Sequence, residues 1–362
     1  MSLGEILRER IRAHGPIPVA DYMAACLGDP THGYYTTRDP FGAKGDFTTA
    51  PEISQIFGEL IGLWTVAVWQ QMGMPVPVRL VELGPGRGTM MSDILRATKV
   101  VPAFSEVATV HLVETSPLLQ ERQRETLAAA SVPISWHADL DDVPNGATIV
   151  LANEFVDAQP VHQAVKRADG WHARLVGLDA GENLAFTLAP AADPAIAQSI
   201  PENLRDAPEG VLYEWRDEAP TKMLADRAAR TGAALVIDYG HAEPGLGETL
   251  QALRAHAFVD PLETPGEADL TAHVDFSALA RIAADVGARV DGPITQGDFL
   301  RRLGIDRRAD RLKAANPEKA ETIAAACARL TSPQKTGMGG LFRVIGFAAP
   351  SLGPLPALEP PR

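Results

Sequence analysis

Between Glu82 and Gly88 the sequence Glu-Leu-Gly-Pro-Gly-Arg-Gly sets an acid ahead of three alternating glycines. An apolar run precedes this segment and a helical pattern follows it. Glycine reaches positive φ at little steric cost and lets a ligand approach the backbone. At the carboxyl end of a parallel strand, such a loop lies where open α/β sheets bind nucleotides. In the dinucleotide fingerprint G-x-G-x-x-G, a helix N-terminus faces a pyrophosphate. Gly84 and Gly86 fit its first two positions, but Thr89 stands where its third glycine belongs and Gly88 comes one place early.

The spacing E-x-G-x-G-x-G is instead common among S-adenosylmethionine (SAM) methyltransferases. Glu82 favours that chemistry. A carboxylate beside the loop hinders a phosphate but balances a ligand carrying a sulfonium and an α-amino group. One charge pair at about 4 Å and an effective dielectric near 20 contributes on the order of 4 kcal/mol before desolvation. Gly84, Gly86 and Gly88 are therefore expected to line SAM, with Glu82 orienting its cationic end.

Acids recur at the ends of the apolar runs that follow. Glu114 closes Val107–Val113, where an acid accepts ribose hydroxyls in NAD and SAM enzymes alike. Asp139 and Leu140 follow the next run, the acid expected at the adenine amino group and the leucine against its ring. Asn153 ends the fourth run and is assigned to the cofactor as well. Glu154 and Asp157 come next, and helix capping by Asn153 or Asp157 is the plain alternative for this segment. The chemical reading is a clamp for a cationic acceptor: two carboxylates can grip a guanidinium fork and accept a proton. An Asn beside Phe155 would also suit an amide or exocyclic amine, so the residues leave the acceptor open.

These residues need a scaffold, and the periodicity supplies one. Strands at Val78–Leu83, Val107–Val113, Ile134–Trp136 and Thr148–Ala152 alternate with helices at about Thr89–Ala97 and Pro117–Ala129. The rhythm predicts an α/β fold with a mostly parallel seven-stranded sheet and helices on both faces. Ala233–Tyr239 and Leu341–Phe347 complete it. Residues 1–75 read as an N-terminal helical arm or lid and 76–349 as the core. The core carries an insertion at about 161–230, not an independent domain, and an acceptor loop at about 241–275. The Pro-rich tail 350–362 reads as disordered.

Bulk properties narrow the partners. The 362 residues are 46% hydrophobic and carry a net charge of −13, and no Lys/Arg run offers a nucleic-acid patch. Neither cysteine, Cys26 nor Cys327, has a C-x-x-C partner, and no H-E-x-x-H occurs, so no metal is expected. No run is long and apolar enough for a membrane span. Glu5 and Glu9 in the first helix are unlike a transit peptide, so a bacterial cytoplasmic location is expected. Oligomeric state has no signal here.

With these residues in place, the chain resembles the MidA-like (DUF185) proteins, related to the mitochondrial complex I assembly methyltransferases. The likeness runs almost end to end. It is carried by His32-Gly33-Tyr34-Tyr35, Gly45–Ser54, Phe57-Gly58-Glu59-Leu60, Glu82–Gly88, Asn153–Ala158, Asp238-Tyr239-Gly240, Asp269–Phe276 and Met338-Gly339. The resemblance implies a class I (Rossmann-like) methyltransferase. For mitochondrial members it implies symmetric dimethylation of an arginine on a complex I subunit. By analogy the Gly45–Ser54 strip would lie over SAM, Tyr35 and Phe47 would wall the methyl channel, and His273 would face the acceptor peptide. The competing readings are a small-molecule N- or O-methyltransferase, and an assembly factor that binds SAM without transferring its methyl group.

Overall fold

The apolar runs become strands: β1 Val78–Leu83, β2 Ala108–Val113, β3 Ile134–His137, β4 Thr148–Asn153 and β5 Gly232–His241. Two more follow, β6 Arg289–Thr295 and β7 Phe342–Ala348. Every residue of β4 before Asn153 is buried, as a strand covered on both faces requires. The seven strands run in the order β6-β7-β5-β4-β1-β2-β3. All pairings from β3 to β5 are parallel, whereas β7 is antiparallel to both of its neighbours. The sheet is mostly parallel, as expected from the sequence, with one short strand beyond these seven.

Chain order reverses between β1 and β4. β2 and β3 are laid down on one side of β1, then β4 and β5 on the other. In such sheets the crevice for a ligand opens outside the carboxyl ends at that switch point. Register brings Glu82 beside Leu112 and Leu151, and Leu83 beside Val113 and Ala152. The loop after β1 and the turn after β4 therefore start level with each other.

The computed structural model describes residues 1–38, 48–334 and 337–359. They divide into two units. One comprises the segments Thr48–Val156 and Ala219–Ala242, together with the chain from Phe276 onward; it holds the sheet. The other joins the N-terminal segment to Asp157–Glu218 and Glu243–Asp275. The expected 1–75 arm is thus split. Helix Gln55–Gln71 belongs to the sheet unit, where Gly62 lets helix Thr89–Thr98 come close: a Cβ there would lie 3.0 Å from Ile94 Cα.

Helices Leu3–His14 and Val19–Gly28 instead share a core with Val161, Val176 and Leu270. The hairpin expected around residues 167–170 is present, with Val161–Arg167 antiparallel to Gly170–Leu178. Strands Leu212–Arg216 and Leu184–Leu188 widen its sheet. Trp171, Ile196, Ile200 and Tyr213 form a further apolar cluster. The insertion is therefore a body with its own apolar packing, which the Pro- and Ala-rich sequence around it concealed.

The tail also departs from expectation. Its described part is held, not disordered. Leu355 and Leu358 are buried, and a Cβ at Gly346 of β7 would stand 2.5 Å and 2.7 Å from their Cδ1 atoms. The Leu355 N–H donates to Asp291 and the Trp64 indole N–H donates to the Pro356 carbonyl. Two leucines spaced three apart outweigh the proline content because they close the core over β7. Leu355→Ala should cost about 2–5 kcal/mol, as buried leucine truncations do. Urea denaturation of the variant checks this, and an unchanged midpoint would contradict it.

Candidate active site

The glycine loop is built by three residues in the left-handed region. Gly84, Gly86 and Gly88 have φ of 58°, 53° and 80°, and Gly88 stands at the start of helix Thr89–Thr98. Gly84 also lies under an aromatic ring, since a Cβ there would sit 2.8 Å from Phe155 Cδ2. The close approach to Gly84 thus involves the chain's own turn after β4.

That turn is held unusually firmly. Glu154 has φ of 50°, a strained region for a non-glycine residue. Three kinds of contact maintain it. The Glu154 N–H donates to the Ile237 carbonyl at 2.8 Å. The fully buried Asp238 at the end of β5 accepts the Phe155 and Val156 N–H groups at 3.1 and 2.9 Å. Glu154 Oε1 accepts from the Ala50 N–H at 2.9 Å and Asn153 Nδ2 at 3.1 Å. Asp238-Tyr239-Gly240 carried no assigned role in the sequence; Asp238 now has one, as the anchor of this turn.

Helix Ala50–Ile53 is fastened from a second side, because Thr89 Oγ1 donates to Glu52 at 2.6 Å. The described part of the Gly45–Ser54 strip therefore joins the glycine loop's helix to Glu154. Phe47 lies outside the described residues.

Two buried oxygens here have no hydrogen-bond partner: Glu82 Oε2 and Asn153 Oδ1. Unpartnered buried acceptors are costly, and these two flank the switch point. Burial alone pushes the Glu82 carboxyl up to about 8, so without a cation it is protonated at neutral pH. A ligand with an ammonium or sulfonium would restore the carboxylate. SAM carries both, and its donors suit the orphaned oxygens.

Glu114 is buried at the end of β2. Its Oε1 accepts the Ser116 N–H at 2.8 Å and its Oε2 accepts from Gln123 at 3.3 Å. Burial raises its carboxyl above the usual range, against the lowering effect of these donors. Asp139 is exposed and caps the short turn Leu140–Asp142 by accepting the Asp141 N–H, and Leu140 is buried. The structure thus gathers Glu82, the three glycines, Glu114, Asp139, Leu140, Asn153 and Glu154 at the carboxyl ends of β1 to β4. Among the described residues no group of His, Cys, Asp and Glu is placed to hold a metal, and no helix is long and apolar enough to cross a membrane.

The remaining predicted residues lie in the second unit. Tyr35 donates to Asp269 at 2.8 Å. Burial, with the charges of Asp269 and Asp157, holds its hydroxyl well above the usual range. Asp157 is buried and accepts the Ala158 N–H. Arg216 donates to the carbonyls of Asp157, Gln159, Ala272 and His273, tying the predicted Asp157 and His273 to one guanidinium. Sequence reasoning missed Arg216 because its partners are backbone atoms far along the chain.

Residues 60–294 match the model of a family described as S-adenosyl-L-methionine-dependent methyltransferases. The chain belongs to this methyltransferase family. Its relatives include the human mitochondrial protein arginine methyltransferase NDUFAF7, 41% identical over 91% of this chain and 80% of that protein. The Drosophila melanogaster homologue is 40% identical over 93% and 83%. Among solved structures, a COG1565 superfamily methyltransferase from Burkholderia thailandensis bound to S-adenosyl-homocysteine superposes with a TM-score of 0.87. It is 31% identical, covering 98% of this chain and 94% of its own. The methyltransferase is SAM-dependent, and the MidA-like resemblance holds.

Two outcomes follow for cofactor binding. The raised carboxyl of Glu82 binds a proton at pH 7 that a cationic ligand displaces, so affinity should rise as pH climbs towards 8. Calorimetry of S-adenosyl-homocysteine in two buffers of different ionisation enthalpy should show about one proton fewer released by Glu82→Gln than by wild type. Equal release would exclude Glu82 as the titrating group. Gly84→Val, which strains φ and collides with Phe155, should abolish binding; a folded variant with wild-type affinity would refute the point.

Proposed function

We propose that this methyltransferase modifies an arginine side chain of a protein, with Glu154 as the acid that receives the guanidinium. The observation that carries the reading is the Glu154 turn: a carboxylate in a strained backbone, fastened by Ala50, Asn153 and Asp238, beside the cofactor loop. The relatives named protein arginine methyltransferases, at 38–41% identity, support the same acceptor.

When bound, SAM supplies an electrophilic methyl group on a sulfonium. Positioning and electrostatics then provide most of the catalysis. Glu82 balances the cationic end of the cofactor, and Glu114 receives its ribose hydroxyls. Asp139 and Leu140 take the adenine edge and face, and Asn153 adds its unpartnered carbonyl oxygen. Glu154 is pre-oriented by two donors, so it grips the guanidinium N–H groups without reorganising. It also accepts the proton that the alkylated nitrogen loses. We assign Asp157 as a second acid, and Tyr35 and His273 to the acceptor peptide.

The family resemblance extends the proposal to a respiratory complex I subunit as the acceptor. In a bacterium the transfer would take place in the cytoplasm. Labelled SAM incubated with a lysate should mark a protein band whose mass spectrum shows methylated arginine. Label confined to small molecules would overturn the protein acceptor. Glu154→Gln should retain S-adenosyl-homocysteine affinity within about threefold and lose transfer by about a hundredfold or more, in line with losing an acid–base group. Wild-type turnover in this variant would sink the role of Glu154.

A further inference from the structure

We infer that Gln123 is a positioning residue that makes cofactor binding selective for a ribose bearing both hydroxyls. Gln123 lies on helix Pro117–Thr126 with no exposed surface. Its side chain touches the ends of three adjacent strands. Nε2 donates to the Gly86 carbonyl at 2.8 Å and to Glu114 Oε2 at 3.3 Å, while Oε1 accepts the Trp136 indole N–H at 2.9 Å. One amide therefore joins the glycine loop after β1, the acid after β2 and the aromatic of β3.

The consequence for Glu114 follows from lone pairs. Each carboxylate oxygen offers about two acceptor sites. The Ser116 N–H occupies one site on Oε1, and Gln123 occupies one on Oε2. These two donors, with the Thr115 N–H that also bonds the carboxylate, fix its plane, and of about four acceptor sites they leave at least one open. A fixed plane with an open acceptor site is what a ribose hydroxyl needs. Without Gln123 the carboxylate loses its side-chain donor and keeps only the backbone N–H groups of the adjacent Thr115 and Ser116, so nothing ties it to the glycine loop. The same change releases Gly86, so the loop and the ribose acid lose their common reference together.

The inference rests on the reading of Glu114 as the ribose acid, and the experiment separates the two. Binding of S-adenosyl-homocysteine and of its 2′-deoxyribose analogue is measured by calorimetry for wild type, Gln123→Met, Gln123→Glu and Glu114→Gln. Wild type should prefer the natural ribose by about tenfold or more, the effect of one hydrogen bond to a charged group. Gln123→Met keeps the length and removes the donors, and Gln123→Glu adds a like charge beside Glu114. Both should weaken the natural ligand by about tenfold or more, and the deoxy analogue by less than about threefold, so that the preference collapses. Gln123→Met is uncharged, so it keeps the test open if Gln123→Glu does not fold. Equal weakening of both ligands would show a merely structural residue and overturn the inference. If Glu114→Gln removes the preference while both Gln123 variants keep it, the ribose reading stands and Gln123 loses its role. If Glu114→Gln keeps the preference, the ribose reading fails and the inference with it.

Discussion

Parallel pairing of β3, β2, β1 and β4 brings four carboxyl ends to the same edge of one sheet, with the order reversing between β1 and β4. A loop leaving β1 and a turn leaving β4 then diverge and leave a crevice between them. Everything assigned to the cofactor depends on that constraint. It places Glu82 inside the protein at the foot of the crevice, where burial alone disfavours its charge. A carboxyl in that state is a liability in the free protein and an asset once a cation arrives.

The supporting contacts are mostly between side chains and backbone. Asp238 holds two N–H groups of the Glu154 turn, Gln123 holds the carbonyl of Gly86, and Arg216 holds four carbonyls around Asp157 and His273. Each of these side chains reaches across elements distant in the chain. A strained φ such as that of Glu154 persists only where surrounding contacts over-determine it. The Glu154 turn and the glycine loop are further coupled because Phe155 packs over Gly84.

The sequence was most legible where a single chemical constraint acts on consecutive residues. Continuous apolar runs marked the buried parallel strands to within a residue or two at most ends, and the glycines with Glu82 marked the cofactor loop. It was least legible where packing came from far away. Within the N-terminal arm, the partners of helix Val19–Gly28 had no local sign, because its buried face meets strands about 140 residues later. The tail looked disordered because it is rich in proline, yet two leucines closing the core decide the state of its described part.

By itself, the sequence determined the mostly parallel sheet, the cofactor and which acids stand at the strand ends, since strand periodicity, glycine spacing and charge at strand ends are local properties. Tertiary structure alone decided how those acids are held and what state they are in. Glu82 and Glu154 are both glutamates after an apolar run. Register buries the first without a partner, whereas distant donors lock the second in a strained turn. Burial and hydrogen-bond geometry depend on neighbours that only folding brings together, and they separate a buried acid whose charge is disfavoured from an acid pinned by two donors.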